Sequence, residues 1–133
     1  SLLAKSEVES LTRAQSIYKS LARATGKLKY YGIAANVTQR LMDRHFNNLK
    51  HDVLNGHFSK AKAEILDLIN LNNQFIKFGL DGKLFSGARQ VSQIRHSLGG
   101  KIALILGSIN VKKIATEVKA KNFTGITKAL DLI

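Results

Sequence analysis

Hydrophobic residues recur at steps of three and four along most of this chain. Between about Ser6 and Lys29 they occupy positions 8, 11, 14, 17, 21, 24 and 28, which lie on one side of a helix. The same spacing predicts helices at about 37–54, 59–78 and 86–105, and two shorter ones at 110–121 and 124–133. Alternation of β-branched and polar residues is never sustained, so no strand is predicted. The sequence therefore predicts an all-α fold, a compact bundle of about four to six helices.

Helix ends are predicted from capping and turn residues. Ser6, Asn36, Ser59 and Ser86 are the predicted N-caps. The predicted stops are Asn55-Gly56, which ends the second helix, and Gly79, which ends the third before an Asp81-Gly82 turn. Gly99-Gly100 could interrupt the fourth helix.

The chain length predicts one domain. Its 133 residues, 44% of them hydrophobic, suffice for a single helical domain over residues 1–133. Weak matches at shifts of 65 and 66 positions leave open a pseudo-repeat with halves 1–80 and 81–133. Helical periodicity by itself produces similar matches, so the sequence does not decide whether the repeat is real.

Charge is strongly unbalanced and unevenly distributed. Lys and Arg number 21 against 9 Asp and Glu, for a net charge of +12. The segments Ser10–Met42 and Gly82–Thr116 contain no acidic residue at all. Such one-signed segments attract polyanions, which makes nucleic acid the leading candidate partner and an anionic membrane surface the second.

The first predicted helix carries the clearest cationic face. On a helical wheel Arg13, Lys19, Arg23 and Lys27 fall within an arc of about 120°, opposite the apolar positions. This arrangement predicts a stripe that follows a phosphate backbone, and the aromatic Tyr30 beside it could stack on an exposed base. The complete set of predicted nucleic-acid contacts is Arg13, Lys19, Arg23, Lys27, Lys29, Tyr30, Arg89, Arg95, Lys101, Lys112 and Lys113.

Other chemistries find little support in the sequence. There is no Cys, no nucleophile or phosphate-loop motif, and no His spacing typical of metal ligands, so no enzyme activity, metal or cofactor is predicted. No apolar run approaches the length of a transmembrane helix, and no signal peptide is recognisable. A soluble protein is expected, intracellular or from a virion, and the sequence does not choose between these locations.

Three functions remain as hypotheses. The first is a non-enzymatic, largely sequence-independent protein that binds or packages DNA or RNA, for example a coat or nucleocapsid subunit. The second is a helical adaptor or scaffold that docks an acidic protein. The third is a peripheral binder of anionic membrane, which is disfavoured because the apolar face of the first helix has no Trp or Phe. Gly99, Ala103 and Gly107 share one helix face, which predicts close packing inside the domain or, alternatively, against a phosphate backbone or a neighbouring subunit, so a homo-oligomer is also an expectation.

Overall fold

Four α-helices form the described part of the molecule. A computed structural model describes the backbone of residues 2–107 and the side chains of residues 5–107. The helices are α1 (Leu2–Thr25), α2 (Leu28–Leu54), α3 (Phe58–Asp81) and α4 (Gly87–Gly107), and these residues contain no strand. The predicted all-α bundle is confirmed, at the lower end of the predicted helix number. The two short C-terminal helices, Lys112, Lys113 and part of the second pseudo-repeat half lie outside the described residues.

The first helix differs from its prediction at both ends. It begins at Leu2 and passes through Ser6, so Ser6 is not its N-cap. It ends at Thr25 because Gly26 adopts the left-handed conformation, with φ 66°, and donates its N–H to the carbonyl of Ala22. Lys27 and Lys29 therefore belong to the connection and to the start of α2, and the predicted stripe of α1 is shorter than expected.

The second helix is longer than predicted. It begins at Leu28, well before the expected start near Val37, and Asn36 lies inside it rather than at its N-cap. Gly32 does not break it, because glycine fits a helix interior at a cost of about 1 kcal/mol that packing can offset. The predicted stop is confirmed, since α2 ends at Leu54 and Gly56 is left-handed with φ 72°.

The last two helices run through positions that were predicted to end or interrupt them. Helix α3 begins at Phe58, so Ser59 is not its N-cap, and it continues through Gly79 to Asp81. Helix α4 follows Ser86 directly, and the Ser86 N–H donates to the side-chain Oε1 of Gln90. It continues through the Gly99-Gly100 pair without a break.

Consecutive helices are antiparallel, and α2 lies at the centre. The ion pair of Glu7 with Arg44 joins the start of α1 to the later part of α2. The contact of His45 with Glu64 joins the later part of α2 to the first half of α3. Between the helices lies a core of aliphatic side chains, to which α4 adds only three buried residues. The most deeply buried side chains of this core are Leu41, Leu49, Val53, Ile65, Leu68 and Ile102.

A polar junction sets the rotation of α1 against its neighbours. The side-chain amide of Gln15 donates to Thr38 Oγ1 on α2 and to Gln74 Oε1 on α3, both at 2.8 Å. Thr38 is fully buried and donates in turn to the carbonyl of Ala34, so the junction is satisfied. The buried side of α1 is therefore centred on Gln15 and Ala22.

This rotation corrects the predicted apolar face of α1. Ile17 is 52% exposed and Leu21 is 37% exposed, although both were assigned to the core side. Lys19, predicted to point outward, is half-buried. The helical-wheel prediction was wrong because Tyr18 packs against the small residues Ala34 and Ala35 of α2, and this packing leaves part of the apolar arc in solvent.

Candidate nucleic-acid interface

The antiparallel topology brings parts of both acid-free segments to one end of the bundle. The α1–α2 connection lies at this end, and so does the turn that joins α3 to α4. The two approach closely, because a Cβ atom on Gly82 would lie only 2.8 Å from Cβ of Tyr31 at the start of α2. Gly82 is thus required by the close approach of two backbones and not by its own φ of −84°.

Six exposed cations gather at this end, which we call the basic end. They come from α1, the first connection, α2, α3, the second connection and α4 in turn. One carboxylate, Asp81, lies among them. The residues of the basic end are Arg23, Lys27, Lys29, Lys77, Lys83 and Arg89.

None of these six cations is neutralised by an ion pair within the described chain. Among residues 5–107 the only Lys or Arg side chain within 4.0 Å of a carboxylate is Arg44, whose Nε lies 2.9 Å from Oε2 of Glu7. Arg44 is far from the basic end. The positive field of the basic end is therefore directed into solvent, where it falls off over about 8 to 10 Å at physiological salt.

The opposite end, which we call the mixed end, has both signs of charge. It is formed by the start of α1, the end of α2 and the start of α3. Its charged residues are Lys5, Glu7, Glu9, Arg44, Lys50, Asp52, Lys60, Lys62, Glu64 and Asp67. Acidic and basic side chains are mixed there, so the bundle is electrically polar along its axis.

Only some of the predicted contact residues lie in the basic end. Four of them, Arg23, Lys27, Lys29 and Arg89, lie in the basic end. The others that the structure describes do not join it: Arg13 and Arg95 are exposed in the middle of α1 and α4, Lys19 is half-buried, and Lys101 lies with Nζ 5.5 Å from the ring centre of Phe46.

Tyr30 is engaged inside the chain. Its ring stacks on that of Tyr18 with centroids 6.4 Å apart and planes inclined by 28°, and Nζ of Lys29 lies 5.1 Å from its centre. The ring is half-buried and ties the start of α2 to α1. Base stacking by Tyr30 stays a prediction, and the ring already has a structural role.

The turn between α3 and α4 is unusually constrained. The ring of Phe85 sits directly against Gly79, where a Cβ would lie 1.9 Å from the nearest ring atom. The N–H of Leu84 donates to the carbonyl of Gly79 and that of Lys83 to Leu80, the pattern of a Schellman motif. These contacts fix the directions of the chain on either side of Lys83.

Lys83 itself occupies the position that glycine usually takes in this motif. Its φ is 58°, and it is the one residue other than glycine with positive φ in the described range. The left-handed conformation costs an L-residue about 1 to 2 kcal/mol. A strained position is thus filled by a long cationic side chain, at the tip of the basic end.

Sequence reasoning missed Lys77 and Lys83 as members of this surface. Lys83 was visible as part of the acid-free segment 82–116, but nothing marked it apart from other lysines. Lys77 lies outside both acid-free segments. Only the antiparallel pairing of α2 with α3 brings Lys77 beside the α1–α2 connection, and that pairing is a long-range property.

An apolar surface patch lies on the exposed side of α1 beside the basic end. It is lined by Ser16, Ile17, Ser20, Leu21 and Ala24, with Arg13 at its far end. The small side chains at positions 16, 20 and 24 recur every four residues, so a helix could approach α1 closely there.

Comparison with known proteins adds no relative. No protein-family model, no curated protein and no solved structure matches this chain. In the part that the structure describes, every helix is too short or too polar to cross a membrane.

Proposed function

We propose that this protein is a non-enzymatic binder of nucleic acid that grips phosphates with its basic end and is largely indifferent to base sequence. The observation that supports this most is the convergence of cations from both acid-free segments on one end, where none has a carboxylate partner among residues 5–107. Each Lys or Arg that neutralises a phosphate releases counterions, so affinity comes from charge and falls with salt.

The surface favours phosphates over base edges. Lysines and arginines at helix ends and in connections make up the basic end, and the nearby aromatic Tyr30 is occupied by Tyr18. Binding that depends on phosphates alone suits coating or packaging of a long polymer, for example by a coat or nucleocapsid subunit.

The deciding experiment compares two triple variants with the same change in net charge. In the first, Lys27→Gln, Lys29→Gln and Lys83→Gln remove three charges from the basic end. In the second, Lys50→Gln, Lys60→Gln and Lys62→Gln remove three from the mixed end. Binding to duplex DNA and to single-stranded DNA of equal length is measured by fluorescence anisotropy over a series of salt concentrations.

The proposal predicts a clear asymmetry between these variants. The basic-end triple should lower the slope of log K against log salt on duplex DNA by about 2 to 3, because each lost phosphate contact removes about 0.9. The mixed-end triple should leave the slope within about 1 of the unaltered protein. Equal slope changes in both would mean that net charge alone attracts DNA, and an unchanged slope in the first would remove the basic end from the interface.

The exposed apolar patch on α1 favours a second candidate, an adaptor that docks an acidic protein. A partner helix with a Leu and Ala face and Glu on its flanks would cover Ile17 and Leu21 and pair with Arg13 and Arg23. An acidic amphipathic peptide of that design serves as the probe, with its scrambled sequence as a control. Leu21→Glu should abolish peptide binding, and Leu104→Glu, at an exposed position on α4, should not. Absence of peptide binding would contradict the proposal that this face of α1 docks an acidic protein.

A further inference from the structure

His45, Glu64 and Asp67 form a compact cluster on the side of the bundle where α2 packs against α3. His45 Nδ1 lies 2.5 Å from Oε2 of Glu64 and 3.9 Å from Oδ2 of Asp67. One possible ligand atom from each residue lies within 4.8 Å of the other two. The sequence had predicted no metal site from the four His residues, and the spacing of the three residues, 19 and then 3 positions, gave no local signal.

From this geometry we propose that the cluster is a binding site for a divalent transition-metal ion of the Zn²⁺ and Co²⁺ class. One imidazole nitrogen and two carboxylate oxygens are three of the four ligands that such ions take, and water completes the shell. Ca²⁺ and Mg²⁺ fit less well, because they require six or more ligands that are nearly all oxygen.

The distances require only small side-chain movements. Three ligand atoms at about 2.1 Å from a tetrahedral ion lie about 3.4 Å from one another. The His45 to Glu64 distance must therefore open by about 1 Å and the His45 to Asp67 distance must close by about 0.5 Å. Rotation of the carboxylates is enough, since Asp67 is 58% exposed and has room to turn.

The backbone that carries the cluster is rigid. His45 lies one turn from both Leu41 and Leu49 on α2, and Glu64 and Asp67 immediately precede the core residues Ile65 and Leu68 on α3. All four of these hydrophobic side chains are at most 2% exposed. The ligands are thus mounted on two fixed helices, which lowers the entropic cost of gathering them around an ion.

Charge also favours a cation from solution. The described chain has sixteen Lys and Arg residues, yet none lies within 4.0 Å of Glu64 or Asp67, whose only ionic neighbour in that range is His45. With neutral His45 the cluster has a charge of −2, which a divalent ion cancels.

The experiment titrates the full chain with Co²⁺ at pH 8, followed by visible absorption, and with Zn²⁺, followed by calorimetry. One equivalent should bind, and Asp67→Asn and Glu64→Gln should each weaken binding by at least about tenfold. The control is the double variant His51→Asn with His57→Asn, which removes one histidine from the end of α2 and one from the α2–α3 connection and should bind like the unaltered protein.

Thermal unfolding gives a second measurement that tests the same site. Zn²⁺ should raise Tm of the unaltered protein and of the control, and should leave Tm of Asp67→Asn nearly unchanged. Asp67 is exposed, so this variant is expected to fold, and circular dichroism checks that it does. Absence of saturable binding at pH 8, or loss of binding in the control with retention in Asp67→Asn, would overturn the proposal.

Discussion

The basic end and the mixed end are built from the same antiparallel helices, but their charged side chains have different surroundings. At the mixed end carboxylates face cations: Arg44 pairs with Glu7, and His45 with Glu64. At the basic end six cations face solvent, with one carboxylate, Asp81, among them. Like charges gathered at one end repel one another, and the close packing of the α3–α4 turn beneath them opposes that repulsion. The comparison suggests that the mixed end contributes to stability and the basic end to binding.

The largest expected effect comes from loosening the turn that supports the basic end. Gly79→Ala would force the Phe85 ring away from its contact with position 79. We therefore expect the free energy of unfolding to fall by about 2 kcal/mol, as at other overpacked sites. Urea unfolding measures this. Gly100→Ala is the control, since a Cβ there meets nothing within 4 Å and should stabilise α4 slightly. If Gly79→Ala unfolds like the unaltered protein, the turn does not hold the basic end in place.

The next effect tests the pairing at the mixed end. The hydrogen bond and the nearby charge of Glu64, with help from Asp67, raise the pKa of His45 despite its partial burial. A pKa raised by folding contributes stability below about pH 6.5, the unfolded value, and this stability is lost as pH rises through the folded pKa. His45→Asn should therefore cost more at pH 6, about 1 to 2 kcal/mol, than at pH 9.

A second substitution isolates the cause of that pH dependence. In a Glu64→Gln background the His45→Asn change should show a much smaller difference between pH 6 and pH 9, because the main partner of the imidazolium is gone. Urea unfolding at both pH values completes the cycle. An undiminished difference in this background would show that Glu64 is not the group that stabilises protonated His45.

Lys83 offers a test in which stability and binding should change in opposite directions. Lys83→Gly removes a side chain from a left-handed position and should raise the free energy of unfolding by about 0.5 to 1 kcal/mol. The same change removes one cation from the basic end, so the salt slope on duplex DNA should fall by about 0.9. Lys83→Asn serves as a second variant, because it removes the same charge and Asn tolerates the left-handed conformation. Lys77→Gly is unsuitable as a control, because Lys77 lies within a helix. A more stable protein with an unaltered salt slope would exclude Lys83 from the interface.

The smallest effect concerns the exposed pair at the mixed end. Glu7→Gln should cost less than about 0.5 kcal/mol, since both partners are 44% exposed and water screens them. Glu9→Gln is the matched control, a neighbouring carboxylate without an ion pair among the described residues. Thermal unfolding at low and high salt compares the two. A cost above about 1 kcal/mol for Glu7→Gln would mean that surface pairing matters more to the mixed end than its exposure indicates.

Local periodicity was enough to predict the fold class but not the orientation of the helices. Steps of three and four residues identified all four described helices. They failed for α1, where Gln15 is directed inward by partners 23 and 59 residues away in sequence, and Ile17 is left in solvent. Hydrogen bonds of that range have no local signature. The start of α2 was missed for a different reason, because Asn36 was taken as its N-cap although the helix begins at Leu28 and passes through both Gly32 and Asn36.

The candidate sites, too, were predictable from the sequence only in part. The two acid-free segments were apparent from the sequence, and they supply five of the six cations of the basic end. Their meeting at one end depends on the antiparallel packing of α1, α2 and α3, which periodicity does not specify. The cluster of His45 with Glu64 and Asp67 depends on the same packing, and a search for ligand spacing along the sequence passes over it.

The polarity of the bundle also bears on how many copies would fit along a nucleic acid. Helix α2 has 27 residues and is about 40 Å long, whereas the end face of two neighbouring helices is about 20 Å across. A protein that attached end-on would occupy about six base pairs of duplex, and one that lay lengthwise along α2 would occupy about twice as many. End-on attachment leaves the flanks of each molecule open to its neighbours on the strand, which allows a dense radial coat.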